Sequence, residues 1–399
     1  MALTEVACYL GFMPFAFALE HTSGPARAGV LTTDHGEVET PVFMPVGTQA
    51  TVKATLPSAL EDDIGARIIL GNAYHLFLRP GVDLIEQAGG LHRFMSWPRP
   101  ILTDSGGYQV FSLAGMREVD DDGITFRSHI DGSRHRFTPE SMIEFEARIG
   151  ADIVMSFDYC TALPCERAEA ERAVALTTDW ARRGLSARGA RFRHYDHEQV
   201  IFGIVQGSSY PDLRRRSLAE LVELDFPGYA VGGLSVGESK DQTWDMASIV
   251  ADGLPADRPR YLMGVGTPVD LVDGVARGID MFDCVMPTRN GRNGTVFTRD
   301  GKVVLKNAVN GSDFRPLDPE CGCRVCRDFS RAYIRHMFVA GEILGPVLAT
   351  HHNLYFYCET MRRMRAAIRE DRFEAWRREF TGRYQAGEDE RVRRNQHVN

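Results

Sequence analysis

The residues best suited to chemistry lie in Met281–Arg292, which reads Met-Phe-Asp-Cys-Val-Met-Pro-Thr-Arg-Asn-Gly-Arg. A short apolar run carries one carboxylate, Asp283. Pro287 then stops the regular structure and a basic, glycine-punctuated segment follows. An acid at the end of a buried strand beside arginines suits a nucleophile, or an ion-pair partner in a site that receives an anion. A solvated acid next to a surface loop reads the same in isolation. Other segments repeat the pattern. Asp104 precedes Ser-Gly-Gly-Tyr108-Gln109, where two glycines let the backbone come close to a planar ligand. Ser156-Phe-Asp158-Tyr-Cys160 supplies a further carboxylate, able to accept two donors from a guanine-like edge. Gln206 adds a carboxamide, and Gly232-Gly233-Leu234-Ser235-Val236-Gly237-Glu238 offers backbone N–H and C=O groups. Singly, each fits an ordinary turn; gathered on one rim, they form a purine-sized polar pocket.

A second chemical signal is Cys321-Gly-Cys323-Arg-Val-Cys326. Three thiolates at this spacing can converge on one ion, and zinc needs a fourth ligand to complete a tetrahedron. His336, His351 and His352 lie downstream. A site closed by four protein ligands is structural, not catalytic. An iron–sulfur cluster is the alternative, but a downstream histidine fits zinc better. The chain has eight cysteines, and no basic stretch precedes the mildly apolar Val6–Leu19. The expectation is therefore a reducing, cytoplasmic setting, without a signal peptide.

Bringing the polar groups together requires a scaffold that collects strand ends. Eight short apolar runs read as strands: 42–46, 67–71, 101–104, 152–158, 200–206, 229–233, 261–264 and 279–283. Helical patterns separate them, with starts at Pro139, Glu166, Pro211 and Thr267-Pro268. This alternation predicts an α/β fold, a (β/α)8 TIM barrel. An open doubly wound sheet is the alternative, but no Gly-x-Gly-x-x-Gly turn follows the first strand. Asp104, Asp158, Gln206, Gly233 and Asp283 all fall at C-terminal strand ends, where barrel active sites sit. Phe15–Leu31 reads as a β-hairpin lid turned at Ser23-Gly24-Pro25. Two further hairpin insertions are expected, at Val119–Phe137 and Val296–Leu305. Leu354, Tyr357, Met361, Met364 and Ile368 mark the buried stripe of a long last helix. The charged end from Gly387 on is expected to fray.

At 399 residues, 44% apolar and 25% charged, the chain has an ample core and no membrane-length apolar run. Its net charge of −8 argues against a generic nucleic-acid binder. The exception is local: Arg289, Arg292, Arg299, Lys302 and Lys306 face only Asp300, which makes either a solvated surface or a phosphate-contact strip.

Phe43–Lys53, Asp104–Ser112, Gly203–Ser208, Gly232–Glu238, Phe282–Arg289 and the cysteine run together resemble the bacterial type of the tRNA-guanine transglycosylase family. The resemblance spans roughly Phe15 to Arg383 and leaves residues 1–14 as an N-terminal extension. It implies a single barrel domain over 15–399, with a zinc-binding subdomain at about 296–352 and a C-terminal helix over 352–383. The implied activity exchanges guanine for 7-aminomethyl-7-deazaguanine (preQ1), at the wobble position of the Asp, Asn, His and Tyr tRNAs with G-U-N anticodons. By motif, Asp283 is the nucleophile and Asp104 the general acid/base. Tyr108, Asp158, Cys160, Gln206, Gly233, Leu234 and Met263 hold the base, with Tyr108 stacked on it and the Leu234 carbonyl on its aminomethyl group. Arg289 and Arg292 contact tRNA. Cys321, Cys323, Cys326 and His352 ligate one structural Zn2+ per subunit, and Phe329, Tyr333, His336 and Phe338 belong to a homodimer interface. The sequence departs from the family pattern at Tyr159, Ser235 and Thr267. A hydrolytic barrel enzyme would need a sugar groove or an open metal site, and a non-catalytic partner subunit would have lost Asp283 or Asp104.

Overall fold

The computed structural model describes residues 15–113, 116–162, 164–189, 192 and 194–396, so the expected N-terminal extension lies outside them. Strands β1 (Ala16–Ser23), β2 (Ala26–Thr33) and β3 (Gly36–Thr40) form an antiparallel sheet. The next three strands are β4 (Val42–Pro45), β5 (Ile69–Gly71) and β6 (Ile101–Thr103). An inserted antiparallel sheet follows: β7 (Arg117–Asp120), β8 (Gly123–Arg127) and β9 (Arg134–Phe137). Then come β10 (Ile153–Met155), β11 (Val200–Val205), β12 (Tyr229–Val231), β13 (Arg260–Leu262) and β14 (Met281–Cys284). The last pair, β15 (Thr295–Thr298) and β16 (Gly301–Val304), is a hairpin.

Eight of these strands are hydrogen-bonded side by side in the order β4-β14-β13-β12-β11-β10-β6-β5. A parallel bridge between Val46 and Leu70 joins the two ends, and the Gly47 N–H donates to the Leu70 carbonyl at 2.7 Å. The sheet thereby closes into the expected barrel. Its interior is packed, not hollow: Met44, Leu70, Met155, Phe202, Ile204 and Met281 belong to one buried cluster.

The expected hairpin lid is instead a floor. Leu31 and Val38 join the barrel-interior cluster, and the Phe15 ring meets Phe202 edge-on at 5.6 Å. The Phe15 N–H donates to Glu198 just before β11, and His35 reaches Asp152 just before β10. The three-stranded sheet therefore plugs the N-terminal end of the barrel with its apolar side chains, opposite the rim where the polar residues gather.

Helices start where the sequence placed them. Pro139–Ile149 has Thr138 as its cap and proline at the first position, and Pro268–Val275 begins in the same way after Thr267. The helix Leu344–Arg369 buries the predicted stripe of Leu354, Tyr357, Met361, Met364 and Ile368. The single helix expected over 352–383 is two helices, Leu344–Arg369 and Phe373–Gln396, with Asp371 left-handed at φ 51° between them. The second helix continues past Gly387 because it docks on the β15–β16 hairpin. A Cβ on Gly387 would lie 1.9 Å from the Asp300 carbonyl, and Glu388 accepts the Lys302 N–H at 2.5 Å. Among the described residues, no helix is long and apolar enough to cross a membrane.

Candidate active site

Asp104 directly follows β6 and is buried. Its Oδ1 accepts the N–H groups of Ala73 (2.9 Å) and Gly106 (3.3 Å). Its Oδ2 accepts the side-chain amides of Asn72 (2.5 Å) and Gln109 (2.7 Å). Burial pushes its pKa up to about 6; the donors from Asn72, Ala73 and Gln109 oppose that rise and the charge of Asp283 adds to it. Near neutrality such a group can both give and take a proton.

Asp283 sits inside the end of β14 and is also buried. Its Oδ1 takes the Tyr261 hydroxyl at 2.6 Å and the Gly264 N–H at 2.7 Å. Among the described residues no donor reaches Oδ2. One carboxylate oxygen is therefore anchored and the other keeps its lone pairs. Burial raises the pKa of Asp283 against the pull of its two donors.

Asp158 lies between Ser105 and Gln206. The Ser105 hydroxyl donates to its Oδ1 (2.5 Å) and the Gln206 amide to its Oδ2 (2.7 Å). This chain of contacts links the loops after β6, β10 and β11. Gly107 is required here, because a Cβ would lie 2.5 Å from the Asp158 carbonyl. Gly233 (φ 61°) follows β12, and a Cβ there would lie 2.4 Å from Gln206 Oε1. Leu234 and Cys160 are buried, and burial pushes the Cys160 thiol up to about 12, so it stays protonated. Met263 follows β13 and packs on the barrel interior. Tyr108 stands on the lip, 47% exposed, with its ring free to meet a planar ligand.

The basic segment is not one strip. Arg289 is exposed and Arg292 half-buried, with its Nη1 buried and without a partner among the described residues. Arg299, however, is buried in an ion pair with Asp318 at 3.0 Å and is not available to a phosphate. Lys306 lies over the Phe338 ring at 5.6 Å.

The cysteine run meets the helix Leu344–Arg369. Sγ atoms of Cys321, Cys323 and Cys326 lie 3.8, 3.5 and 3.3 Å from His352 Nδ1. All four ligand atoms fall within 4.8 Å of one another. His352 Nε2 donates to the Phe297 carbonyl at 2.8 Å, which leaves Nδ1 bare toward the thiols. His351 turns instead to Asp63 at 3.2 Å, and His336 is exposed. The four side chains fit one metal ion in a closed site. The next residue, Asn353, accepts the Phe297 N–H and donates to the carbonyls of Pro287 and Thr295, each at 3.0 Å. Tyr357 donates to the Gly266 carbonyl at 3.2 Å.

A family profile described as Queuine tRNA-ribosyltransferase matches residues 21–386. The queuine tRNA-ribosyltransferase of Caldanaerobacter subterraneus subsp. tengcongensis is 56% identical over 365 residues, 92% of this chain and 96% of the relative. That of Pelotomaculum thermopropionicum is 55% identical over 371 residues, 93% and 98% of the two chains. That of Solidesulfovibrio magneticus is 55% identical over 375 residues, 94% and 99%. The chain belongs to the queuine tRNA-ribosyltransferase family. It is an enzyme, a pentosyltransferase.

Several groups that build this rim carry no motif of their own. Asn72, next to β5, holds Asp104; Tyr261, in the middle of β13, holds Asp283. Tyr261 reads as one more core aromatic in Arg-Tyr-Leu. The available signal is that a buried tyrosine hydroxyl needs a partner. The departures from the family pattern also have places. Tyr159 donates to Glu169 at 2.7 Å and its N–H to Thr177 at 3.1 Å, so it is tied to the helix Arg167–Arg188. Thr267 caps Pro268–Val275 in a reciprocal pair with Asp270. Ser235 adopts φ 57° and its N–H donates to Glu238.

Proposed function

We propose that this protein is a tRNA-guanine transglycosylase that replaces the wobble guanine of tRNAs with G-U-N anticodons by preQ1, through a covalent Asp283–ribose intermediate. The observation that carries this reading is the pairing of two buried rim carboxylates. One has a free oxygen, and the other has a pKa pushed up to about 6. In the proposed first half, Asp283 Oδ2 attacks C1′ of the nucleotide and the glycosidic electron pair passes to the departing guanine. Asp104 gives that base a proton. In the second half, Asp104 takes the N9 proton of the incoming deazaguanine, whose nitrogen attacks C1′ and releases Asp283 as carboxylate. Asp158, Gln206, Gly233 and the Leu234 carbonyl bind the base edge, Cys160 and Met263 line the pocket and Tyr108 stacks on it. Arg289 and the unpartnered Nη1 of Arg292 suit phosphates of the anticodon loop. The acceptors are then the Asp, Asn, His and Tyr tRNAs.

Cys321, Cys323, Cys326 and His352 would hold one zinc ion, which shapes the segment of about 296–352 and takes no part in the chemistry. A homodimer is proposed because Tyr333, Val339 and Ile343, within that segment, are 39%, 63% and 79% exposed. The compartment is the cytoplasm. Incubation with radiolabelled guanine and unmodified tRNA tests the central claim: label must enter the tRNA. Its absence, with intact protein and tRNA, overturns the reading.

A further inference from the structure

Arg214, on the helix Pro211–Val222, is fully buried, 0% exposed. No carboxylate pairs with it among the described residues. Instead it donates to four backbone carbonyls. Nε reaches Ser208 at 2.9 Å, Nη1 reaches Val205 at 3.0 Å and Gly232 at 2.7 Å, and Nη2 reaches Gly233 at 3.1 Å. Burying a guanidinium without a counter-ion carries a large desolvation penalty, offset only when its donors are satisfied.

The four acceptors are not scattered. They lie where β11 and β12 have just ended and the chain turns to present Gln206 and Gly233. Backbone conformations there are unusual: Gly207 has φ 133°, Gly233 φ 61° and Ser208, a non-glycine, φ 52°. A trans peptide points its C=O and N–H in opposite directions. With the Gly232 carbonyl fixed on Arg214, the Gly233 N–H must point away from the guanidinium, and the Gln206 side chain, which donates to Asp158, lies against both glycines. A cation bonded to the oxygen also polarises the amide and strengthens its N–H as a donor.

We propose that Arg214 is a positioning residue that sets base specificity: holding the Gly232 and Gly233 carbonyls from behind, it presents the Gly233 amide as a fixed, polarised donor to the 6-carbonyl oxygen of the purine. This rests on the transglycosylase reading above. It predicts an energetic coupling between Arg214 and one atom of the base. 6-Thioguanine keeps the N1–H and amino groups of guanine but replaces that oxygen by sulfur, a much weaker acceptor.

The test compares guanine and 6-thioguanine binding to the full-length enzyme by calorimetry, for wild type and Arg214→Lys. Lysine keeps the charge but cannot span four carbonyls. Guanine affinity is expected to fall about tenfold or more, while 6-thioguanine affinity changes less than about threefold. An equal loss for both bases, or no loss for either, overturns the proposal, because a merely structural residue would not distinguish oxygen from sulfur. Should Arg214→Lys not fold, hydrogen exchange on the wild type tests the same contact. Guanine must protect the Gly233 amide more than saturating 6-thioguanine does, and equal protection overturns the proposal. A wild-type enzyme that binds neither base would instead sink the transglycosylase reading, so the two failures are distinguishable.

Discussion

The negative charge of Asp283 raises the pKa of Asp104, on top of the larger rise caused by burial. On the proposed mechanism this coupling changes sign of use within one turnover. Before attack, the charged Asp283 helps keep a proton on Asp104, ready for the departing guanine. Once Asp283 is an ester it carries no charge. Asp104 then loses that contribution and ionises more readily, as a base for the incoming nitrogen must.

This gives opposite pH limbs for the two substrates. Values of kcat/KM for tRNA should decline as pH rises through about 6, because the free enzyme loses the acid form of Asp104. Values for the incoming base should decline on the acid side, with a midpoint below that of the free enzyme, because the adduct needs the base form of Asp104 and has lost the charge of Asp283. Steady-state profiles measured separately for each substrate check this. Asp283→Asn should abolish the adduct on denaturing gels while leaving tRNA binding. Asp104→Asn should keep some adduct but lose exchange by about 10²-fold or more. An adduct that survives in the first variant and vanishes in the second reverses the assignment.

Asp152 should hold the barrel floor at neutral pH. Burial alone would push its carboxyl up, but hydrogen bonds from His35 (2.6 Å) and His92 (3.0 Å) outweigh burial and hold it well below the usual carboxylate range. Its folded pKa is therefore depressed. The stabilisation is present above the unfolded value of about 3.9 and is lost as pH falls below it, toward the folded value. Asp152→Ala should cost about 3 kcal/mol or more at pH 7, since it strands buried donors, including the Ile101 N–H. Urea unfolding at pH 7 and pH 3 measures both effects, and the variant should show a smaller difference between the two.

Loss of the metal should act on stability before chemistry. Cys323→Ser, or strong chelation, should lower the melting temperature and weaken self-association while residual protein still forms adduct. Elemental analysis is expected to find one zinc per chain. Active protein without zinc would end the proposal.

Base selection should depend on Val236. It is half-buried, and its N–H donates to Glu238 at 3.0 Å, which ties down the backbone of this segment. Queuine carries a bulky cyclopentenediol on the aminomethyl nitrogen that preQ1 leaves unsubstituted, and Val236 should exclude it by overlap. Val236→Gly should raise queuine incorporation relative to preQ1. Efficient queuine use by the unaltered protein would refute this.

Much of the scaffold was legible because the information is local. Several barrel strands are short apolar runs that end at a polar residue, such as Asp104, Gln206 and Asp283, and the helices that begin at Pro139, Pro211 and Pro268 carry their own Thr or Pro signal. The cysteine spacing likewise names its own ligands. What escaped depends on contacts across long separations. Arg299 reads as surface charge until Asp318 is folded against it. Phe15–Leu31 has the right hairpin turn, but only the depth of Leu31 and Val38 in the barrel tells floor from lid. The helix end at Arg369 follows from the left-handed Asp371, a residue type that does not announce the break. Tyr261, Asn72 and Arg214 act through partners from other strands, so no spacing betrays them.

The helix Leu344–Arg369 joins three of the features described above. His352 faces the thiols, Asn353 holds the carbonyl of Pro287 just past the nucleophile strand, and Tyr357 holds Gly266, two residues from the amide on Asp283. These three contacts sit within about 7.5 Å of helix at 1.5 Å rise per residue. One residue added or removed between them would rotate one contact by about 100° relative to the others. The helix is thus a ruler whose graduations cannot be respaced. Lineages of this enzyme have to inherit the stretch from 352 to 357 with its length intact.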